Sequence, residues 1–130
     1  MKLGHTTIYV NNVEKTVDFY QKAFGLKLQY LHEDKQYAQM LADDRVLAFH
    51  SDKSVQNLGL DFRKNAKEEK PAGFEISLAT SNVESVLKKA LEEGAVLVLK
   101  PMQRPWGQTV SYVTDINGVL VEVCSFMEMP

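Results

Sequence analysis

Two carboxylates interrupt strand-like runs that are otherwise apolar. In Val119-Leu120-Val121-Glu122-Val123-Cys124, alternation puts Val119, Val121 and Val123 on one side and Leu120, Glu122 and Cys124 on the other. In Phe74-Glu75-Ile76-Ser77-Leu78-Ala79, the apolar Phe74, Ile76 and Leu78 oppose Glu75, Ser77 and Ala79. Two carboxylates on a partly desolvated surface repel each other, so one must take up a proton, a cationic side chain or a metal ion. A pair of that kind can carry a proton to and from a substrate. The chain also has three histidines, His5, His32 and His50, and one cysteine, Cys124. Each has a plainer reading. A strand histidine is more often a hydrogen-bonded structural residue than a ligand. Glu75 and Glu122 could be a polar lining satisfied by Trp106, Gln108, Tyr112 or Arg104. Cys124 has no basic neighbour in sequence to lower its pKa and reads as an inert wall residue. Trp106 reads as a packed turn aromatic that edges the pocket.

The elements that must position these residues occur twice. Residues 5–14 (HTTIYVNNVE) lie over 75–84 (EISLATSNVE) at a constant offset of 70, with Asn-Val-Glu recurring identically. In the first copy Val13, Val17, Tyr20 and Phe24 have helical spacing, opened by the capping Asn12 and closed before Gly25. In the second copy Val83, Leu87, Ala90 and Leu91 share a face, Asn82 or Ser81 caps the start and Gly94 closes the end. Strand-like runs follow each helix: 26–31, 37–41 and 46–50 in the first half, 96–99, 109–114 and 119–124 in the second. Ala42-Asp43-Asp44 signals a turn, and Asn117-Gly118 predicts a two-residue hairpin. The expected organisation is one domain, 1–130, made of module 1–60 and module 72–126. A charged, solvated connector, 61–71, joins them.

Composition bounds the function. With 130 residues, 45% hydrophobic and 25% charged, the chain is long enough for one cored domain of ordinary globular composition. A formal net charge of −2 gives no basic surplus for nucleic acid, and no apolar run is long enough to span a membrane. A lone cysteine and an N-terminus without a signal-peptide layout lead to the expectation of a cytoplasmic protein.

Four motifs together carry a family resemblance: Gly4-His5-Thr6; Val17-Asp18-Phe19-Tyr20 with Phe24-Gly25-Leu26; Pro105-Trp106-Gly107-Gln108; and the closing Asp115-Ile116-Asn117-Gly118-Val119-Leu120-Val121-Glu122. With these motifs the chain resembles the vicinal oxygen chelate superfamily of glyoxalase, bleomycin-resistance, fosfomycin-resistance and extradiol dioxygenase proteins. The resemblance implies an α+β fold of two βαβββ modules, with a cup-shaped mixed sheet and helices on its outer face. It implies a homodimer whose cup binds a small-molecule ligand, with His5 approaching Glu75 and Glu122 of the other subunit. It also implies one divalent ion (Mn, Fe, Ni or Zn) held by His5, Glu75 and Glu122, the last two doubling as catalytic proton carriers. The fourth ligand position falls on Ala48, which cannot ligate, although His50 lies two residues further on the same face. Trp106, Gln108, Tyr112, Thr7, Ser77 and His50 are the expected ligand contacts. The implied function is metal-assisted chemistry on a small oxygenated substrate, of lyase or isomerase, transferase or dioxygenase type. The alternative is ligand sequestration without catalysis, as in bleomycin-resistance proteins.

Overall fold

The computed structural model of the protein describes residues 1–127. The chain divides into two compact units, Met1–Ala66 and Lys67 onwards, each with its own sheet. The first unit runs β1 (Thr6–Val10), α1 (Val13–Phe24), β2 (Lys27–Leu31), β3 (Tyr37–Ala42), β4 (Arg45–Ser51) and α2 (Asp52–Asn57). The second runs β5 (Ile76–Ala79), α3 (Val83–Glu92), β6 (Val96–Gln103), β7 (Thr109–Thr114) and β8 (Leu120–Cys124). The strand orders are β1-β4-β3-β2 and β5-β8-β7-β6, so both units have the same topology. In each, the first strand pairs parallel with the last and the others pair antiparallel. The α+β architecture of two βαβββ modules is therefore present.

The helices form where their ends are marked. Asn12 accepts a hydrogen bond from the Lys15 amide, and Gly25 ends α1 in the left-handed region at φ 69°. Asn82 caps α3 in the same way through the Ser85 amide. Helix α1 buries Val13, Val17, Phe19, Tyr20 and Ala23 against β2, β3 and β4. There Tyr20 meets Phe49 with ring centroids 4.9 Å apart. Helix α3 buries Val83, Leu87 and Ala90 and packs on β6, β7 and β8, where Val113, Val121 and Val123 are fully enclosed. Each such apolar side chain contributes roughly 1.5–3 kcal/mol. This core claims one face of each sheet and leaves the opposite face for polar residues.

Three local expectations change. The connection around Asn117-Gly118 spans residues 115–119, because Asp115 Oδ1 accepts from both the Asn117 and Val119 amides and pulls the backbone into a wider turn. Gly118 alone takes a positive φ there, at 79°. The two-residue hairpin lies instead at Asp43-Asp44, where Ala42 pairs with Arg45 and Asp43 adopts φ 58°. The connector is also not wholly solvated. Phe62 packs on Tyr9 at 4.8 Å, and Asn65 Nδ2 donates to the Tyr9 carbonyl at 3.0 Å, tying its first half to the first unit. Helix α2 was not expected; Ser51 caps it by accepting from the Ser54 amide.

Candidate functional site

In the second unit three strands bring a hydroxyl, a carboxylate and a phenol into one row. The β5–β8 register sets Ser77 opposite Glu122, and the β7–β8 register sets Tyr112 opposite Glu122. All three point away from the α3 layer, because their neighbours Val121, Val123 and Val113 point into it. Ser77 Oγ donates to Glu122 Oε1 at 2.6 Å, and Tyr112 OH donates to Glu122 Oε2 at 2.8 Å. Both carboxylate oxygens are thus clamped by charge-assisted hydrogen bonds. Cys124 Sγ adjoins Ser77 Oγ at 3.5 Å and Leu78 O at 3.7 Å. Glu75 has the strand parity of Ser77 and lies more open to solvent than Glu122.

The electrostatics follow from these contacts. Desolvation pushes Glu122 up, but the hydrogen bonds from Ser77, Tyr112 and Cys124 outweigh it and hold its carboxyl below the ordinary glutamate value. Glu75 moves the other way, raised first by desolvation and then by the negative charge of Glu122. Tyr112 is pushed up to about 12, chiefly by its hydrogen bond to Glu122, then by desolvation. Burial raises the Cys124 thiol, which stays protonated and un-nucleophilic near neutral pH. Glu122 is the carboxylate that remains ionised, and Glu75 is the one that protonates more readily.

The first unit offers a different surface. His5 Nε2 lies 3.4 Å from Tyr37 OH, which accepts from Gln39 Nε2 at 2.8 Å. His50 Nε2 lies 3.2 Å from Ser54 Oγ, and its ring meets Tyr37 edge-on at 5.3 Å. Thr7 pairs with Ala48, the same register that joins Ser77 to Glu122 seventy residues later. The internal repeat therefore holds at the level of strand pairing, and Ala48, fully buried, replaces the carboxylate in the first copy.

Among the expected site residues, the structure gathers Ser77, Tyr112, Glu122 and Glu75 in the second unit, and His5, Thr7 and His50 in the first. Trp106 and Gln108 are bound to each other in the β6–β7 turn, Trp106 Nε1 donating to Gln108 Oε1 at 2.8 Å. Gln108 Nε2 then donates to Ser125 O at 3.0 Å, so this glutamine is spent on the turn. Tyr37 as the partner of His5, and Gln39 as the donor to Tyr37, were missed. Their shared parity with His50 across β3 and β4 was the available signal.

The donor set of the second unit does not by itself hold a divalent ion. Glu122 has both oxygens engaged by hydroxyls and all three histidines lie in the first unit. Among the described residues no three His, Cys, Asp or Glu side chains converge as metal ligands. No described helix is long and apolar enough to cross a membrane.

Comparison with known proteins agrees with this architecture. The chain is 23% identical over 124 residues to the uncharacterized protein YraH of Bacillus subtilis, covering 95% of this chain and 97% of that protein. It is 25% identical over 126 residues to lactoylglutathione lyase of Escherichia coli O157:H7, covering 95% and 91%. A glyoxalase-related enzyme from Fulvimarina pelagi superposes with a TM-score of 0.79 at 16% identity, over 97% of this chain and 89% of that one. Residues 2–123 match a family profile, and the chain accordingly belongs to the Glyoxalase/Bleomycin resistance protein/Dioxygenase superfamily.

Proposed function

We propose that the open face of the second unit binds a small oxygenated molecule and moves a proton on it through the Glu75 and Glu122 pair. The observation that carries this reading is the double clamp on Glu122, with Glu75 beside it shifted in the opposite sense. Two carboxylates whose environments push their pKa values apart divide into base and acid. Glu122, ionised and oriented by Ser77 and Tyr112, is the base. Glu75, raised by desolvation and by the Glu122 charge, is the member of the pair better suited to hand a proton back. Tyr112, protonated throughout the neutral range, gives its one proton to Glu122 Oε2 and keeps that carboxylate oriented. Chemistry of that class is isomerisation or elimination next to a carbonyl or hydroxyl. The similarity to lactoylglutathione lyase lends support to the lyase or isomerase branch.

A metal-assisted version needs His5 to join Glu75 and Glu122. His5 lies in the first unit, so the second unit alone does not supply that set.

The test is hydrogen exchange in D₂O followed by proton NMR, with hydroxyacetone first in a panel of small hydroxy ketones and hydroxy acids. The native protein should accelerate exchange at carbon next to the carbonyl, and Glu122→Gln should reduce that acceleration by roughly 10²- to 10⁴-fold. Binding without exchange across the panel would instead favour sequestration without turnover.

A further inference from the structure

The β6–β7 turn of the same unit holds a cation that no described residue pairs with a counter-charge. Arg104 is half-buried, and among the described residues no carboxylate lies within ion-pair distance of it. Among the described residues its guanidinium makes one hydrogen bond, a weak contact from Nη1 to Met102 Sδ at 4.0 Å. Its other partner is the Trp106 ring, over which Cζ sits 4.9 Å from the centroid. The turn beneath is fastened on both sides. Arg104 N donates to Gln108 O at 2.8 Å and Gly107 N to Arg104 O at 3.0 Å. Gln103 Nε2 donates to Gly107 O at 3.2 Å, while its Oε1 accepts from Thr109 Oγ1 at 2.9 Å. Among the described residues the guanidinium is therefore held in place without a neutralising partner, a state suited to taking an oxyanion.

Its charge also reaches the carboxylate row. The Tyr112 phenol is raised chiefly by its hydrogen bond to Glu122, and Arg104 is the one charge that opposes that rise. From the turn to Tyr112 is about three residues of β7, roughly 10 Å, which the length of an arginine side chain partly closes. A purely anionic ligand would be repelled by Glu75 and Glu122. A ligand with an oxyanion at one end and a hydroxyl at the other satisfies both ends.

We propose that Arg104, seated on Trp106, is the specificity-determining group of this site and takes the carboxylate or phosphonate of a small hydroxylated acid whose hydroxyl faces Glu122. This rests on the function proposed above, since it places the two ends of one ligand on Arg104 and on the carboxylate pair.

The probes are glycolate, hydroxymethylphosphonate and the neutral glycolamide, titrated calorimetrically against the full-length protein at matched ionic strength. Because Trp106 is the one tryptophan of the chain, its fluorescence reports the same event in the native protein. At least one of the two anions should bind and shift that fluorescence while glycolamide does neither, and the tighter anion identifies the class. Arg104→Gln should weaken anion binding by roughly 10- to 100-fold, the worth of a charged hydrogen-bonding partner. Arg104→Lys, which keeps the charge and the fold, should retain part of the affinity. Equal binding of glycolamide, undiminished binding by Arg104→Gln, or no binding of either anion would overturn the proposal. Glu122→Gln separates it from the proton-transfer reading. If Arg104→Gln loses affinity while Glu122→Gln keeps both the affinity and the hydrogen exchange of the native protein, the anion site stands and the carboxylate pair fails. The reverse pattern removes the anion site and leaves the pair.

Discussion

Tyr112→Phe removes one hydroxyl and nothing else from the row across β5, β8 and β7. The lost bond is the 2.8 Å hydrogen bond from Tyr112 OH to Glu122 Oε2. A hydrogen bond to a charged group contributes about 1.5–3 kcal/mol when buried. Glu122 is only half-buried, so solvent reduces this to about 1 kcal/mol. The sign with pH follows from the direction of the shift. The folded-state pKa of Glu122 is depressed, so its stabilisation is present above the unfolded value of about 4.3. It is lost as pH falls through the lower folded value. Removing Tyr112 OH therefore costs about 1 kcal/mol at pH 7 and progressively less below pH 4, where the carboxyl is protonated in both states. Urea denaturation at the two pH values gives the stability difference, and carbon-13 NMR of the glutamate carboxyls gives the Glu122 midpoint, which should rise in the variant. An equal loss at both pH values with an unmoved Glu122 midpoint would refute the reasoning. The phenol would then be acting by packing alone.

Glu122→Gln removes the charge that helps raise Glu75 and turns the charged acceptor that raises Tyr112 into a neutral amide. The Glu75 carboxyl should therefore titrate lower in carbon-13 NMR, and the last tyrosine step in an ultraviolet titration should fall from about 12 towards the ordinary value. Phe49→Ala empties a fully buried site against Tyr20, and thermal or urea unfolding should register a loss of about 3–5 kcal/mol. Asp52, 4% exposed, has an Oδ1 with no hydrogen-bond partner among the described residues, and burial raises its pKa against the opposing charge of Lys64. A raised carboxyl is favourable below its unfolded pKa and loses that contribution as pH rises through the folded one. Asp52→Asn should accordingly be at least as stable as the native chain at pH 7, with the difference vanishing below pH 4 by urea denaturation.

Much of this was legible in the chain itself. The offset of 70, the caps Asn12 and Asn82 and the period-two alternation establish two βαβββ units, and they place Glu75, Ser77, Glu122 and Cys124 on the face away from the helix. These signals are local: a cap lies within one turn of the helix it closes, and strand parity needs only neighbouring residues. The lone carboxylate in Val121-Glu122-Val123 was visible for the same reason.

Tertiary structure alone decided what Glu122 is bonded to. Ser77 is 45 residues away from it, and Tyr112 is reached through a turn widened by Asp115. The pairing register that brings all three together is set by backbone hydrogen bonds between strands, and one step of slip would send Tyr112 to the helix side. The pairing of His5 with Tyr37, the isolation of Arg104 on Trp106 and the orphaned Asp52 oxygen are decided in the same way. Each depends on which groups the fold brings into contact and which it leaves without a partner; His5 and Tyr37, for example, lie 32 residues apart in the chain.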